Sequence, residues 1–150
     1  MKFTAFGLAV LVSTAALLHS SMAADKIECF NDDALETLIS DLGSKCTGYD
    51  LTCAPSCDEA IKCYFEKMDL WHPKTKFNWN KVKAEFEKLF KPENKTTADD
   101  VFEEFKKAEE KAKLAVGHGL VTRYMTVAKK YCTDPAAEAI ASFKCEKCKL

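Results

Sequence analysis

Histidine is scarce in this chain, and each one stands alone. Only His72 and His118 lie beyond residue 23; the first precedes a proline and the second sits between two glycines. Neither has a second histidine or a carboxylate pair at the spacing a metalloprotease uses. The chain also lacks a nucleophile elbow and a phosphate-cradling glycine loop. A helical secreted phospholipase would need a His-Asp pair beside cysteines in a helix and a glycine-rich calcium loop, and both are absent. Carboxylates are plentiful, but they fall on what read as solvated helix faces. The sequence therefore reads as a non-enzyme, with no cofactor and no metal.

An excess of charge of one sign is missing too. The 22 Lys+Arg and 23 Asp+Glu are interspersed, with no basic stripe. This argues against nucleic acid or an anionic membrane as a partner. There is a single long apolar run, Phe3 to Leu18, with Lys2 before it and Ser20-Ser21-Met22-Ala23 after it. A basic start, an apolar middle and a small-residue exit form the pattern of a secretory signal. The run is shorter than the roughly 20 residues a bilayer core requires, which disfavours an anchor. Cleavage is placed after Ala23, with Ala24 as the close alternative. The predicted layout is a signal peptide over 1–23 and one domain over 24–150, about 127 residues. Losing Lys2 leaves 21 basic against 23 acidic residues, a balance of −2. The mature protein is expected to be secreted, extracellular and soluble, with no stable membrane insertion.

What is abundant is cysteine. All 8 lie beyond the leader: Cys29, Cys46, Cys53, Cys57, Cys63, Cys132, Cys145 and Cys148. An even count in a short exported chain implies a disulfide framework whose connectivity the sequence leaves open. Five crowd between Cys29 and Cys63, and none follows until Cys132. Because five is odd, complete pairing requires at least one bridge between the two groups. Cys53-x3-Cys57 and Cys145-x2-Cys148 could be metal ligand pairs on spacing alone, but an oxidising compartment favours disulfides. A redox Cys-x-x-Cys normally accompanies a βαβ pattern, and no strand reads out here.

The hydrophobic spacing is helical throughout. Asn31 is predicted to cap a first helix with Leu35, Leu38, Ile39 and Leu42 on one face and Gly43 at its end. A second starts at Pro55 or Ser56, carries Ala60, Ile61, Tyr64, Phe65, Met68 and Trp71, and stops at His72-Pro73. After a turn through Lys74 to Phe77, a third begins near Asn78, with Trp79, Val82, Phe86, Leu89 and Phe90 apolar and Pro92 closing it. Thr97 with Asp100 resembles a capped start of a fourth. Val101, Phe102, Phe105, Ala108, Ala112 and Ala115 would face inward, and Glu109 would sit on the charged side with Lys113. Gly117-His118-Gly119 breaks the run before a fifth helix bearing Val121, Tyr124, Met125, Ala128 and Cys132. A last helix, capped by Thr133 or Asp134 with Pro135 in its first turn, carries Ala136, Ile140, Phe143 and Cys145. The prediction is an all-α, compact, disulfide-stapled bundle of about six helices. Asn94-Lys95-Thr96 reads as a glycosylation acceptor.

Lys62-Cys63-Tyr64-Phe65-Glu66-Lys67-Met68-Asp69-Leu70 resembles the third helix of insect odorant-binding proteins, where Cys, two residues and Glu-Lys-Met-Gly-Leu are common. Phe77-Asn78-Trp79-Asn80-Lys81-Val82 is similar to the segment that commonly follows. Ala128-Lys129-Lys130-Tyr131-Cys132 resembles the approach to that family's fourth cysteine, and the stretch from Ala136 to Cys145 resembles the helix between its fifth and sixth. The resemblance covers most of the mature chain. Two family cysteines are missing, at Glu59 and Ala136, and in the family these pair with each other. The resemblance thus implies Cys29–Cys63 and Cys132–Cys145 as survivors, with Cys46, Cys53, Cys57 and Cys148 as additions of open pairing. A rival register places the family's second and third cysteines at Cys53 and Cys57. Insects also use this fold in salivary proteins that bind amines, lipids or host factors, and the extra cysteines and long middle fit such a divergent relative.

The resemblance implies an odorant-binding-protein-like bundle that captures a small hydrophobic ligand (odorant, lipid or amine) in an internal cavity. Candidate wall residues are Phe65, Met68, Trp79, Phe86, Phe90, Tyr124 and Phe143, each of which could equally fill a solid core. The alternative is a salivary-type effector with no cavity, binding a host protein or receptor through its surface. A saposin-like lipid module pairs its chain ends, but its cysteine spacings do not match.

Overall fold

The computed structural model describes residues 25–51, 53–113, 116–117, 119–133 and 146–147. The expected leader over 1–23 and the expected last helix over 135–145 lie outside the described residues. The chain is mostly helical. Its elements run α1 (Asp32–Lys45), β1 (Cys53–Ala54), α2 (Ser56–Lys67), β2 (Trp71–His72), β3 (Lys76–Phe77), α3 (Trp79–Glu87), a 3-10 turn (Pro92–Asn94), α4 (Lys95–Ala112), α5 (Leu120–Ala128) and β4 (Glu146–Lys147). The strands are two-residue pairings that the helical periodicity did not reveal: β2 antiparallel to β3, and β1 parallel to β4. Among the described residues no helix is long and apolar enough to cross a membrane.

Two helix starts follow directly from side-chain chemistry. Asn31 accepts from the Ala34 N–H at 3.3 Å and Asn78 from the Lys81 N–H at 3.4 Å, each satisfying a donor that the first turn leaves free. Asp32 and Asp33 add negative charge at the positive end of α1. The helix ends and the start of α4 depart from expectation. Gly43 does not end α1: the helix continues to Lys45, and the Cys46 N–H donates to the Leu42 carbonyl at 2.9 Å. α2 stops four residues short of Trp71. Asp69 takes a left-handed φ of 56°, the Leu70 N–H bonds the Phe65 carbonyl at 2.8 Å and the Asp69 N–H bonds Glu66 at 3.1 Å. This is a Schellman closure built on aspartate instead of the usual glycine. Pro92 does not close α3, which ends at Glu87; its fixed φ opens the turn that leads into α4. Thr97 consequently lies inside α4 and caps nothing. α4 ends at Ala112, with Lys113 left-handed at φ 51°.

The packing of α4 also differs from the expected face. Ala98, Val101, Phe102, Phe105 and Glu109 are buried, whereas Ala108 and Ala112 are exposed. The Glu109 side chain is 1% exposed and takes Arg123 of α5 in two contacts, 2.5 Å to Nε and 3.0 Å to Nη2. Glu109 is thus paired across helices and not with Lys113 along its own. Gly117, at φ +92°, lies so near α2 that a Cβ would stand 2.4 Å from the Asp58 carbonyl oxygen, and the Gly119 N–H bonds the Asp58 carboxylate at 3.2 Å. Only glycine meets both demands at 117.

The disulfides correct the pairing implied by the family resemblance. The bonds are Cys29–Cys132 and Cys46–Cys63, not Cys29–Cys63 and Cys132–Cys145. The cause is an extended strap over 27–31. It bonds 89–91 on one side through Asn31 N–H to Leu89 O and Lys91 N–H to Cys29 O, both 2.8 Å. On the other side the Thr133 N–H reaches Ile27 O, also at 2.8 Å. That sets the Cys29 and Cys132 Cα atoms 5.4 Å apart, while Cys46 at the end of α1 faces Cys63 in α2 at 6.1 Å. Closing 103 residues of chain stabilises by about 4–5 kcal/mol and closing 17 by about 3 in the chain-entropy account. Cys57 is disulfide-bonded as well.

Candidate functional site

Where α1, α2 and α5 converge, the core is not filled. A cavity of about 100 Å³ remains. α1 contributes Leu35, Leu38, Ile39 and Leu42, the single stripe that its spacing places on one side. α2 adds Ile61 and Phe65, and α5 adds Leu120, Val121, Tyr124 and Met125. Phe30 of the strap, Phe86 of α3 and Leu89 beyond it complete the described lining. Leu35, Leu42, Leu120 and Tyr124 are buried; Leu38, Ile39, Val121 and Met125 are half-buried and make the outer rim between α1 and α5. α1 rests on α2 and α5 rests on α4, so the rim joins two separately supported helices.

Among the described residues no charged side chain lines the chamber. Among the described lining residues Tyr124 carries a polar group, a hydroxyl that is buried in the wall and has no hydrogen-bond partner among the described residues. Burial alone pushes its ionisation far above the ordinary phenol range. Leaving such a hydroxyl unpaired costs about 1–3 kcal/mol. The ring itself is fixed: Phe86 lies 4.6 Å and Phe105 5.3 Å away, centroid to centroid, both edge-on. An apolar cavity of this kind can hold a small neutral molecule.

The wall residues expected from sequence divide. Phe65, Phe86 and Tyr124 line the chamber. Met68 caps α2 and packs half-buried against the core. Phe90 is buried in the strap contact, its ring 4.8 Å from Phe30. Trp79 faces an outer groove, stacked on Phe77 at 4.5 Å. Phe143 lies outside the described residues. The α1 stripe and the Val121–Met125 pair are visible in the sequence as helix faces, but periodicity does not distinguish a wall from packing.

The remaining expected positions are accounted for as follows. The Asn94 side-chain amide donates to the Glu28 carbonyl at 2.7 Å and to the Cys29 carbonyl at 3.4 Å, tying the strap to the start of α4. His72 is exposed and accepts from the Lys74 N–H at 3.1 Å; His118 lies outside the described residues. Among the described residues no three His, Cys, Asp or Glu side chains gather as metal ligands would. Comparison with family models, curated proteins and solved structures finds no match to this chain.

Proposed function

We propose that this protein is a secreted, odorant-binding-like helical carrier that holds a small neutral hydrophobic molecule in the chamber between α1, α2 and α5. The observation that carries the reading is the apolar lining of that cavity, with the unpartnered Tyr124 hydroxyl buried in its wall among the described residues. A ligand with one carbonyl or ether oxygen would give that hydroxyl its partner. A protonated amine would enter with no carboxylate to meet it, so neutral ligands are favoured over amines.

Size sets the class further. An apolar cavity of about 150 Å³ takes benzene, and the chamber here is smaller, about 100 Å³. The ligand is therefore small, one ring at most, and even a single ring enters only as the half-buried rim gives way; a long acyl chain requires the rim to part widely. Burying roughly 200 Å² of apolar surface is worth about 5 kcal/mol, and a hydrogen bond to Tyr124 adds about 1 kcal/mol. Together these set a dissociation constant no tighter than on the order of 10–100 μM. The resemblance to odorant-binding proteins agrees with this reading in its helices and its cavity, although the observed cysteine pairs are not that family's.

The test is thermal stabilisation of the oxidised protein by cyclohexanone and by its hydrocarbon isostere methylenecyclohexane. Both should raise Tm by mass action, cyclohexanone more, and Tyr124→Phe should abolish the difference. If neither ligand moves Tm, the carrier reading fails and the surface-binding effector replaces it.

A further inference from the structure

Outside the core, the β2–β3 hairpin and the last turn of α4 enclose an open groove of about 680 Å³, much larger than the chamber. Its floor is aromatic. Phe77 and Trp79 stack at 4.5 Å and 26° from parallel, and Trp71 stands beside them. The chain has 2 tryptophans, and both are here. Glu109 lines the groove too, but Arg123 already occupies its carboxylate.

Three charged side chains remain at the edge: Lys76, Glu110 and Lys113. None forms an ion pair among the described residues; Lys76 instead places its ammonium 6.0 Å from the centre of the Trp71 ring. Both lysines have left-handed backbones, φ 65° at Lys76 and φ 51° at Lys113. At Lys113 that conformation is the stop of α4. Against the two ammoniums stand one carboxylate and the C-terminal end of α4, which carries about half a negative charge. The balance at the groove is positive.

From this juxtaposition we infer that the groove binds a planar aromatic anion, its ring on the Phe77–Trp79 platform and its anionic group between Lys76 and Lys113. A neutral ring keeps the stacking and loses the charge contact. An aromatic ammonium must displace Lys76 from Trp71 and then meets Lys113. This site is separate from the neutral chamber and takes a different ligand.

The two indole N–H resonances of the nitrogen-labelled, oxidised full chain both belong to this groove and report on it directly. The probes are 2-naphthoate, 2-naphthylmethanol and 2-naphthylmethylammonium, which share a ring and differ in charge. Naphthoate should shift both indole signals saturably and bind most tightly of the three, the ammonium least. Replacing both lysines, Lys76→Gln with Lys113→Gln, should weaken naphthoate roughly five- to tenfold while leaving the alcohol unchanged. Raising the salt should also weaken naphthoate selectively. Unmoved indole signals, tighter binding of the ammonium, or full naphthoate affinity in the double variant would each overturn the assignment. The Tyr124→Phe variant should bind naphthoate as the parent does, so failure here and failure of the chamber reading are told apart.

Discussion

The chamber and the groove are built from the same kind of residue and differ in what surrounds it. In the chamber, Phe65, Phe86 and Tyr124 meet aliphatic side chains, with no charge among the described lining residues. In the groove, Trp71, Phe77 and Trp79 meet two ammoniums and a carboxylate that have no ion-pair partners among the described residues. A relay of rings joins them: Trp79 lies 6.3 Å from Phe105, which lies 5.6 Å from Phe86 and 5.3 Å from Tyr124. Aromatic content alone therefore does not identify a ligand; the polar groups around the rings do. One site suits a neutral molecule with a single acceptor, the other an anion.

The largest effect should come from the contact that supports both. Arg123→Met leaves the Glu109 carboxylate buried at the α4–α5 junction with its partner gone. Stranding a buried charge costs about 3–5 kcal/mol. Chemical denaturation should show that loss, with ligand stabilisation and native indole signals disappearing at the same denaturant concentration. Separate losses would mean that the two sites are independent units.

Phe86→Ala comes next and should separate the sites. Phe86 packs on Phe105 and Tyr124 and lines the chamber only. Its truncation should cost about 3 kcal/mol and enlarge the cavity, so that two-ring neutral ligands raise Tm where they do not in the parent. Naphthoate should bind the groove as it does in the parent.

Alkaline pH should then act on both sites together. Burial, with the carboxylates of Glu85 and Asp41 near, pushes Tyr64 up to about 12 from 10.0. Below pH about 9 the phenol is neutral in both states. Between about 10 and 12 the unfolded chain loses this proton and the folded one keeps it, so stability falls across that window, by about 2 kcal/mol. Tyr64→Phe should remove that part of the pH dependence in denaturation curves. The smallest effect is expected from Tyr124→Phe in the empty protein: deleting an unpaired buried hydroxyl should leave stability unchanged or raise it by about 1 kcal/mol.

How much of this was legible in the sequence depended on how local the cause was. Asn31 and Asn78 announce their helices because cap and first turn are neighbours. The end of α2 was hidden because aspartate, not glycine, fills its left-handed position, and the eye moves on to His72-Pro73. Thr97 with Asp100 imitates a cap, but Pro92 starts the turn earlier. The strap over 27–31 has no periodicity to read, yet it decides the partner of Cys29. Counting cysteines did require a bridge between the early and late groups, which Cys29–Cys132 is; which residues pair depends on contacts far apart in the chain. Glu109 looked like one more surface charge, and only the fold brings Arg123 to it. The chamber is hardest of all, since a cavity is an absence of atoms among residues whose pattern matches a solid core.

The most direct test of the account is to locate the neutral ligand by nuclear Overhauser contacts. In the oxidised protein, bound cyclohexanone should contact the methyl groups of Leu38, Ile39, Val121 and Met125 and the Tyr124 ring, and neither indole. Contacts to Trp71 or Trp79 alone, or none at saturating ligand, would contradict it.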